Sequence, residues 1–412
     1  MAEKKYAISL NEVEAEYQEL AARINYDGSK YLPWIFKKAL TLEQARVALE
    51  LYISSEEVAS TLGISEEEAA TDAQKYQLAA IAKRLNLDKE TVTRHVQYMF
   101  ELGFAFPTRR GWRFARNVAQ LKDSQTNTKF DEELGDQYFD LWEAFQKIEG
   151  YPTGFLWELL PRLEAQGPIF RVIPARKSLK DIPDIVPEDN IEEVLRLYET
   201  TAVSHCPCKR LVRDRACHSP TEVCLVLDRV AEHNVRRGTA RVISLGEALA
   251  IHDMAADAGL VCNAQGIEAK PITPMICHCH WCCCDEFAPL VMHNIPLQKL
   301  IASSCYQAEV DPDKCTGCQT CVTRCQFGAI EMKRYAGAGR QEKFKAWVDP
   351  DKCVGCGLCV IKCPSEARTM KQVKTSESIP KEGADTAGYT TAASYRKGKH
   401  LDTGSVMTRP VY

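Results

Sequence analysis

Two segments of this chain are near copies of one another: VDPDKCTGCQTCVTRC from Val310 and VDPDKCVGCGLCVIKCP from Val348. Each spaces four cysteines as C-x2-C-x2-C-x3-C: Cys315, Cys318, Cys321 and Cys325, then Cys353, Cys356, Cys359 and Cys363. The chain has 412 residues and nineteen cysteines, and all nineteen follow residue 200. An ordinary core has no need of thiols in such runs. In a reducing compartment clustered cysteines argue for metal over disulfides. Zinc knuckles also use close cysteine pairs, so the spacing has to separate the possibilities.

The doubled 2-2-3 spacing is that of bacterial two-cluster ferredoxins, which residues from about 310 to 370 resemble. In that pattern three cysteines of each run reach one [4Fe–4S] cube and the fourth crosses to the other. Cys315, Cys318, Cys321 and Cys363 are then one set, and Cys353, Cys356, Cys359 and Cys325 the other. Gly317 and Gly355 suit the turns needed close to a cluster. Pro364 follows the second run, whereas Gln326 stands after the first, at a position that is not a ligand. The insert KRYAGAGRQEKFKAW between the halves is a partner-facing loop or a plain excursion.

Upstream lies SHCPCKRLVRDRACHSPTEVCLVLD, with Cys206, Cys208, Cys217 and Cys224. An extended C-x-C turns both thiols to one side, and two more would return from the following loop and a helix start near Thr221. Four soft ligands suit a [4Fe–4S] cluster or zinc. The stretch MICHCHWCCCDEF repeats the device with Cys277 and Cys279, then sets Cys282, Cys283 and Cys284 in a row. Neighbouring side chains diverge, so these three divide between two clusters or leave non-ligand thiols. His278 and His280 beside them suit hydrogen-bonding roles. Cys262 follows the helix-like LGEALAIHDMAADAG and reads as a buried thiol.

The order of these elements is similar to that of a family of [4Fe–4S] dicluster proteins of anaerobes, over about 170 to 370. Members carry cysteine where His280 stands and glycine where Trp281 stands. The resemblance implies an electron-transfer protein, often beside a larger oxidoreductase. The upstream region holds eleven cysteines, counting Cys262 and Cys305. Two clusters need eight, so the favoured reading is two upstream [4Fe–4S] clusters and four in all, with three as the fallback.

Residues 1–120 hold no cysteine. YQLAAIAKRL and KETVTRHVQYMFEL have helical apolar periods, joined at Asn86–Asp88, with Gly103 as the stop. FAFPTRRGWRFAR follows as a hairpin, the order of a winged-helix domain. Residues 75–116 carry nine Lys or Arg against three Asp or Glu, yet residues 1–120 balance at 16 against 17. In a DNA reader Thr93 and Arg94 would face the major groove and Arg109 and Arg110 would lie on the wing; nucleic acid is not the expected partner. Residues 121–200 read as a helical and Pro-rich connector, 201–305 as a cysteine-rich domain, 306–371 as the ferredoxin domain, and 372–412 as an extended or disordered tail. The fold class is α+β.

No run of 18 apolar residues suggests a membrane span, the net charge is −4, and a cytoplasmic location is expected. No G-x-G-x-x-G follows a strand and no nucleophile–base pair stands out. The expected function is therefore a multi-cluster electron-transfer subunit with an oxidoreductase partner. Two alternatives stay open: a redox-responsive winged-helix regulator, and an enzyme whose cluster at Cys277–Cys284 has an open corner at His280.

Overall fold

The computed structural model describes residues 12–150, 160–213, 217–265, 275–335 and 343–379. The described chain divides into two compact units. One holds residues 12–150 with 236–239, the other 160–235 with 240–379.

The first unit is helical except for one hairpin. Its helices start where the sequence offers caps. Thr41 and Ser54 each accept from the backbone three residues on, with Gln44 and Glu57 completing the capping boxes. Asp88 caps helix Lys89–Leu102 through Thr91 N at 2.8 Å, and Gly103 closes it in the left-handed region. The preceding helix, Ala73–Leu85, ends at Asn86, also left-handed. Strands β1 (Ala105–Thr108) and β2 (Gly111–Phe114) then pair antiparallel. The buried Gln77 pins this hairpin to the helices: its Nε2 donates to Trp112 O and Leu51 O, and its Oε1 accepts from Trp112 N.

The second unit is built on a seven-stranded sheet. Its strands are β3 (Phe170–Val172), β4 (Thr201–His205), β5 (Glu222–Leu227), β6 (Ala240–Val242), β7 (Val261–Gln265), β8 (Met275–Cys279) and β9 (Ile301–Ala302), in the spatial order β6-β4-β5-β8-β7-β3-β9. All pairings are antiparallel except β3 with β9. Helix Leu245–Asp257, capped by Ser244, packs against the sheet through Ala248, Ile251 and Ala255.

The structure departs from the sequence reading in this unit. Cys224 lies inside central strand β5, not near a helix start, because EVCLVL is a buried, β-branched run of the kind that suits a strand covered on both faces. Cys206-Pro207-Cys208 is not an extended pair either. Pro207 takes the first position of helix Pro207–Val212, which leaves Cys206 at the cap and Cys208 in the first turn. Cys277 and Cys279 do lie on a strand.

The ferredoxin part adds β10 (Tyr306–Val310) paired with β13 (Arg368–Gln372), and β11 (Ile330–Tyr335) paired with β12 (Lys343–Val348). The arms of the insert thus form a hairpin, and its tip, 336–342, lies outside the described residues. The Pro-rich strap before helix Ile191–Arg196 runs through two single turns, Arg176–Leu179 and Pro187–Asp189. Of the tail, 372–379 includes one such turn, Ser376–Ser378, and 380–412 lies outside the described residues. Among the described residues no helix is long and apolar enough to cross a membrane.

A buried ion pair fastens the strap. Arg171 Nη1 donates to Asp189 Oδ1 at 2.5 Å, both side chains being buried, and Asp189 Oδ2 accepts from Cys305 N at 2.6 Å. Removing one partner of such a pair strands a buried charge at a cost of about 3–5 kcal/mol. Arg171→Ala is accordingly expected to lower the unfolding free energy of the second unit by that margin, read from the shift in its denaturation midpoint followed by visible absorption. Arg171→Met combined with Asp189→Leu should recover most of the loss; a single variant within about 0.5 kcal/mol of wild type contradicts the assignment.

Candidate metal centres

The ferredoxin cysteines surround two cavities. One is lined by Cys315, Cys318, Cys321 and Cys363. The other is lined by Cys325, Cys353, Cys356 and Cys359. Each gathers three cysteines of one run and the fourth cysteine of the other. Four convergent thiols around one pocket are the donor set of one cube apiece, so the residues present suit the group the spacing implies. The loops reach this geometry because Gly317 and Gly355 take φ of +76° and +74°; a Cβ at Gly355 would lie 2.0 Å from Tyr306 O.

Arg368 is the residue between the two sets that sequence reasoning missed. It lines the first cavity and is buried. None of its three guanidinium nitrogens finds an oxygen partner, while the Cys359 and Cys321 sulfurs lie beside it. A buried cation without an anion is costly. The donor set of two anionic cubes supplies the missing counter-charge, which is a second indication that the cavities hold them.

The nine cysteines of the 206–224 and 277–284 stretches separate into two groups. Six thiols close a ring in which each lies within hydrogen-bonding reach of two others: Cys206, Cys208, Cys284, Cys279, Cys277 and Cys224. Cys208 and then Cys224 hold the Cys206 thiol well below the usual range. Cys224 is pushed well above it, chiefly by Cys206. Burial, followed by Cys208 and Cys279, raises Cys284 in the same direction. A shared negative charge on one sulfur makes its neighbours keep their protons.

The second group is Cys217, Cys282 and Cys283, whose sulfurs all lie within 4.8 Å of one another. Cys217 is held far below the usual range by Cys282 and then Cys283. His280 Nδ1 stands 3.0 Å from Cys282 Sγ. Burial works against a charge on His280, but the Cys217 and Cys282 thiols outweigh it and raise its pKa to about 9. The run of three cysteines therefore divides: Cys282 and Cys283 turn to this group, and Cys284 turns to the ring.

His278 points away from both. On β8 it lies between Cys277 and Cys279, so the alternation of a strand sends it to the opposite face. There it meets His252 of helix Leu245–Asp257. Arg176 N donates to His252 Nε2 at 3.2 Å, His252 Nδ1 and His278 Nε2 are 3.2 Å apart, and His278 Nδ1 reaches Val223 O at 2.7 Å. The row closes only if each ring carries its proton on Nδ1, so both are neutral. Burial agrees, lowering His278 to about 4 and holding His252 well below the usual imidazole range. Cys262 shares this pocket with them, but the ring nitrogens are already spent, and burial pushes its thiol up. Cys305 stands apart as a buried thiol beside Asp189.

Gln326, where the first ferredoxin run lacks proline, bridges the two halves. Its Nε2 donates to Gly259 O at 2.7 Å and Cys279 O at 3.2 Å, and its Oε1 accepts from Trp281 N at 2.9 Å. Its neighbour Arg324 donates to Leu358 O, Asp257 O and Ala256 O. A proline could make none of these side-chain bonds. Nothing in the spacing signals them, which is why the substitution reads as minor in the sequence.

The comparison with curated proteins returned no match, and neither did that with solved structures. Residues 314–367 match the sequence profile of the 4Fe-4S dicluster domain, a stretch that contains all eight ferredoxin cysteines. This part of the chain is an iron–sulfur dicluster domain.

Proposed function

We propose that the protein is a multi-centre electron carrier that serves a separate oxidoreductase. The observation that carries this reading is the continuity of the thiol sites. Arg368 lines the first cavity and stands beside Cys321 of one set and Cys359 of the other, and Gln326 bonds directly from the residue after Cys325 to the carbonyl of Cys279 in the ring of six. Cubes bound by thiolates exchange single electrons, at potentials set by net charge, hydrogen bonds and exposure. The ring has two more thiols than one cube needs and is read as the third centre.

The helix–turn–helix and hairpin of the first unit are read as a winged-helix docking module for the partner, not as a DNA reader. Thr93, Arg94, Arg109 and Arg110 are exposed, but Arg94 is engaged with Thr91 Oγ1 at 3.0 Å, and the segment as a whole carries no excess of positive charge.

Two measurements test the reading. Anaerobically purified protein should hold more iron and acid-labile sulfide than the about eight of each that two cubes account for. Cys277→Ser should lose about four irons while the low-temperature EPR signals of the ferredoxin pair persist; a variant that keeps all its iron removes the ring from the electron path. The second concerns Arg368. Unit charges about 5 Å apart at an effective dielectric near 20 interact by about 3 kcal/mol. Arg368→Met should therefore lower both ferredoxin potentials by on the order of 100 mV, read by redox titration. Unchanged potentials would show that Arg368 does not face the clusters.

A further inference from the structure

We propose that Cys217, Cys282, Cys283 and His280 hold a single tetrahedral divalent ion of the zinc class, in place of a fourth iron–sulfur cube. The distances separate the two. Around one tetrahedral ion with metal–sulfur bonds of about 2.3 Å, thiolate sulfurs stand about 3.8 Å apart. Cys217 Sγ and Cys283 Sγ are 3.8 Å apart, and all three sulfurs lie within 4.8 Å of one another. A cube gives each thiolate its own iron, so its four sulfurs stand wider. The chain carries its own standard for that wider spacing: no three of the eight ferredoxin sulfurs lie within 4.8 Å of one another, as the three of the Cys217 group do.

His280 is the fourth donor assigned here; its ring reaches Cys282 but does not lie within 4.8 Å of all three sulfurs, so the imidazole moves onto the ion when the ion binds. Its Nδ1 lies 3.0 Å from Cys282 Sγ, and both Cys283 N and Cys284 N donate to its carbonyl, at 3.2 and 3.0 Å. This tight turn puts the ring of His280 and the sulfurs of Cys282 and Cys283 on one side. Three thiols and one imidazole are an established donor set for a closed zinc site. The surroundings supply outer contacts that hold ligands in place. Ser219 Oγ is 2.8 Å from Cys217 Sγ, the Trp281 ring lies against His280 with centroids 5.6 Å apart, and Gln326 fixes the Trp281 backbone. The ion would staple the Cys217 loop to the turn that delivers Cys284 to the ring of six. It carries no electron itself, so the assignment stands or falls apart from the electron-carrier reading.

The test uses the full chain purified anaerobically, with zinc, iron and acid-labile sulfide measured for wild type, His280→Ala, His280→Cys and Cys283→Ser. The expected wild type holds about one metal ion per chain that has no matching sulfide. His280→Ala and Cys283→Ser should lose that one ion and leave cluster iron and sulfide unchanged, while His280→Cys, which keeps a fourth donor, should retain it. Cobalt(II) added to protein stripped of that ion should give the visible spectrum of a tetrahedral thiolate site, absent in Cys283→Ser. The ferredoxin EPR signals report that each variant has folded, and if Cys283→Ser does not fold, the two His280 variants decide. Loss of about four irons with about four sulfides in His280→Ala or Cys283→Ser would make the site a cube and overturn the proposal; so would retention of every metal ion in both.

Discussion

Six thiols, each in contact with two others, are the constraint on which the second unit depends. Left to themselves they make a poor core, since each lost proton places a charge against two neighbouring sulfurs. The divergent shifts of Cys206 and Cys224 express that conflict: one sulfur carries charge at the expense of the next. A metal centre resolves it, because a cation gives every ligand sulfur a partner. The surrounding sheet is what makes the ring possible at all. Central strands β5 and β8, paired at Leu225↔Ile276 and Val226↔Met275, bring Cys224 and Cys277 to one edge of the site. The helix that starts at Pro207 swings Cys208 in from the end of β4.

The far face of the sheet is equally committed. A strand that offers Cys277 and Cys279 to a metal must send His278 the other way, and a buried imidazole without partners would cost more than an apolar side chain. The row from Arg176 N through His252 and His278 to Val223 O satisfies every ring nitrogen. It also links the strap, the helix and two strands at one point. The neutral state matters here, because a protonated His278 would have no acceptor on the His252 side. This row positions the C-x-C strand from the face opposite its thiols.

How much of this was legible in the sequence follows from how local each signal is. The 2-2-3 spacing carries its own geometry, since three ligands on one short loop can only converge. The partition of the two ferredoxin cavities therefore accords with a pattern readable without coordinates. Helix ends were legible for the same reason: Asp88 starts one helix, Asn86 and Gly103 each close one, and all three act within one turn of themselves. The upstream groups were not, because their cysteines come from two segments more than 50 residues apart and no local rule says which cysteine of Cys282, Cys283 and Cys284 turns which way. Two sequence inferences failed on single residues. Pro207 converts what looks like an extended pair into a helix cap, and the β-branched run around Cys224 makes a central strand where a helix was expected.

Gln326 and Arg368 show why fidelity to a motif is a weak guide to its surroundings. Each stands beside a cluster cysteine or cavity without being a ligand, so the motif leaves it free to vary. In this chain both positions are used. Gln326 replaces a residue with no backbone donor by one whose side chain reaches Cys279 O, Gly259 O and Trp281 N, and thereby welds the dicluster domain to the ring. Arg368 places a fixed positive charge between two sites that each gather four thiolates. A cation there stabilises the more negative, reduced state of both cubes, so it favours electrons resting on this domain. The Gln326 side chain ties the dicluster domain to the C-x-C strand, and on the proposed reading it fixes the separation across which one-electron steps would run. Connection and bias are thus set by two residues outside the ligand pattern, and they act on the same pair of centres.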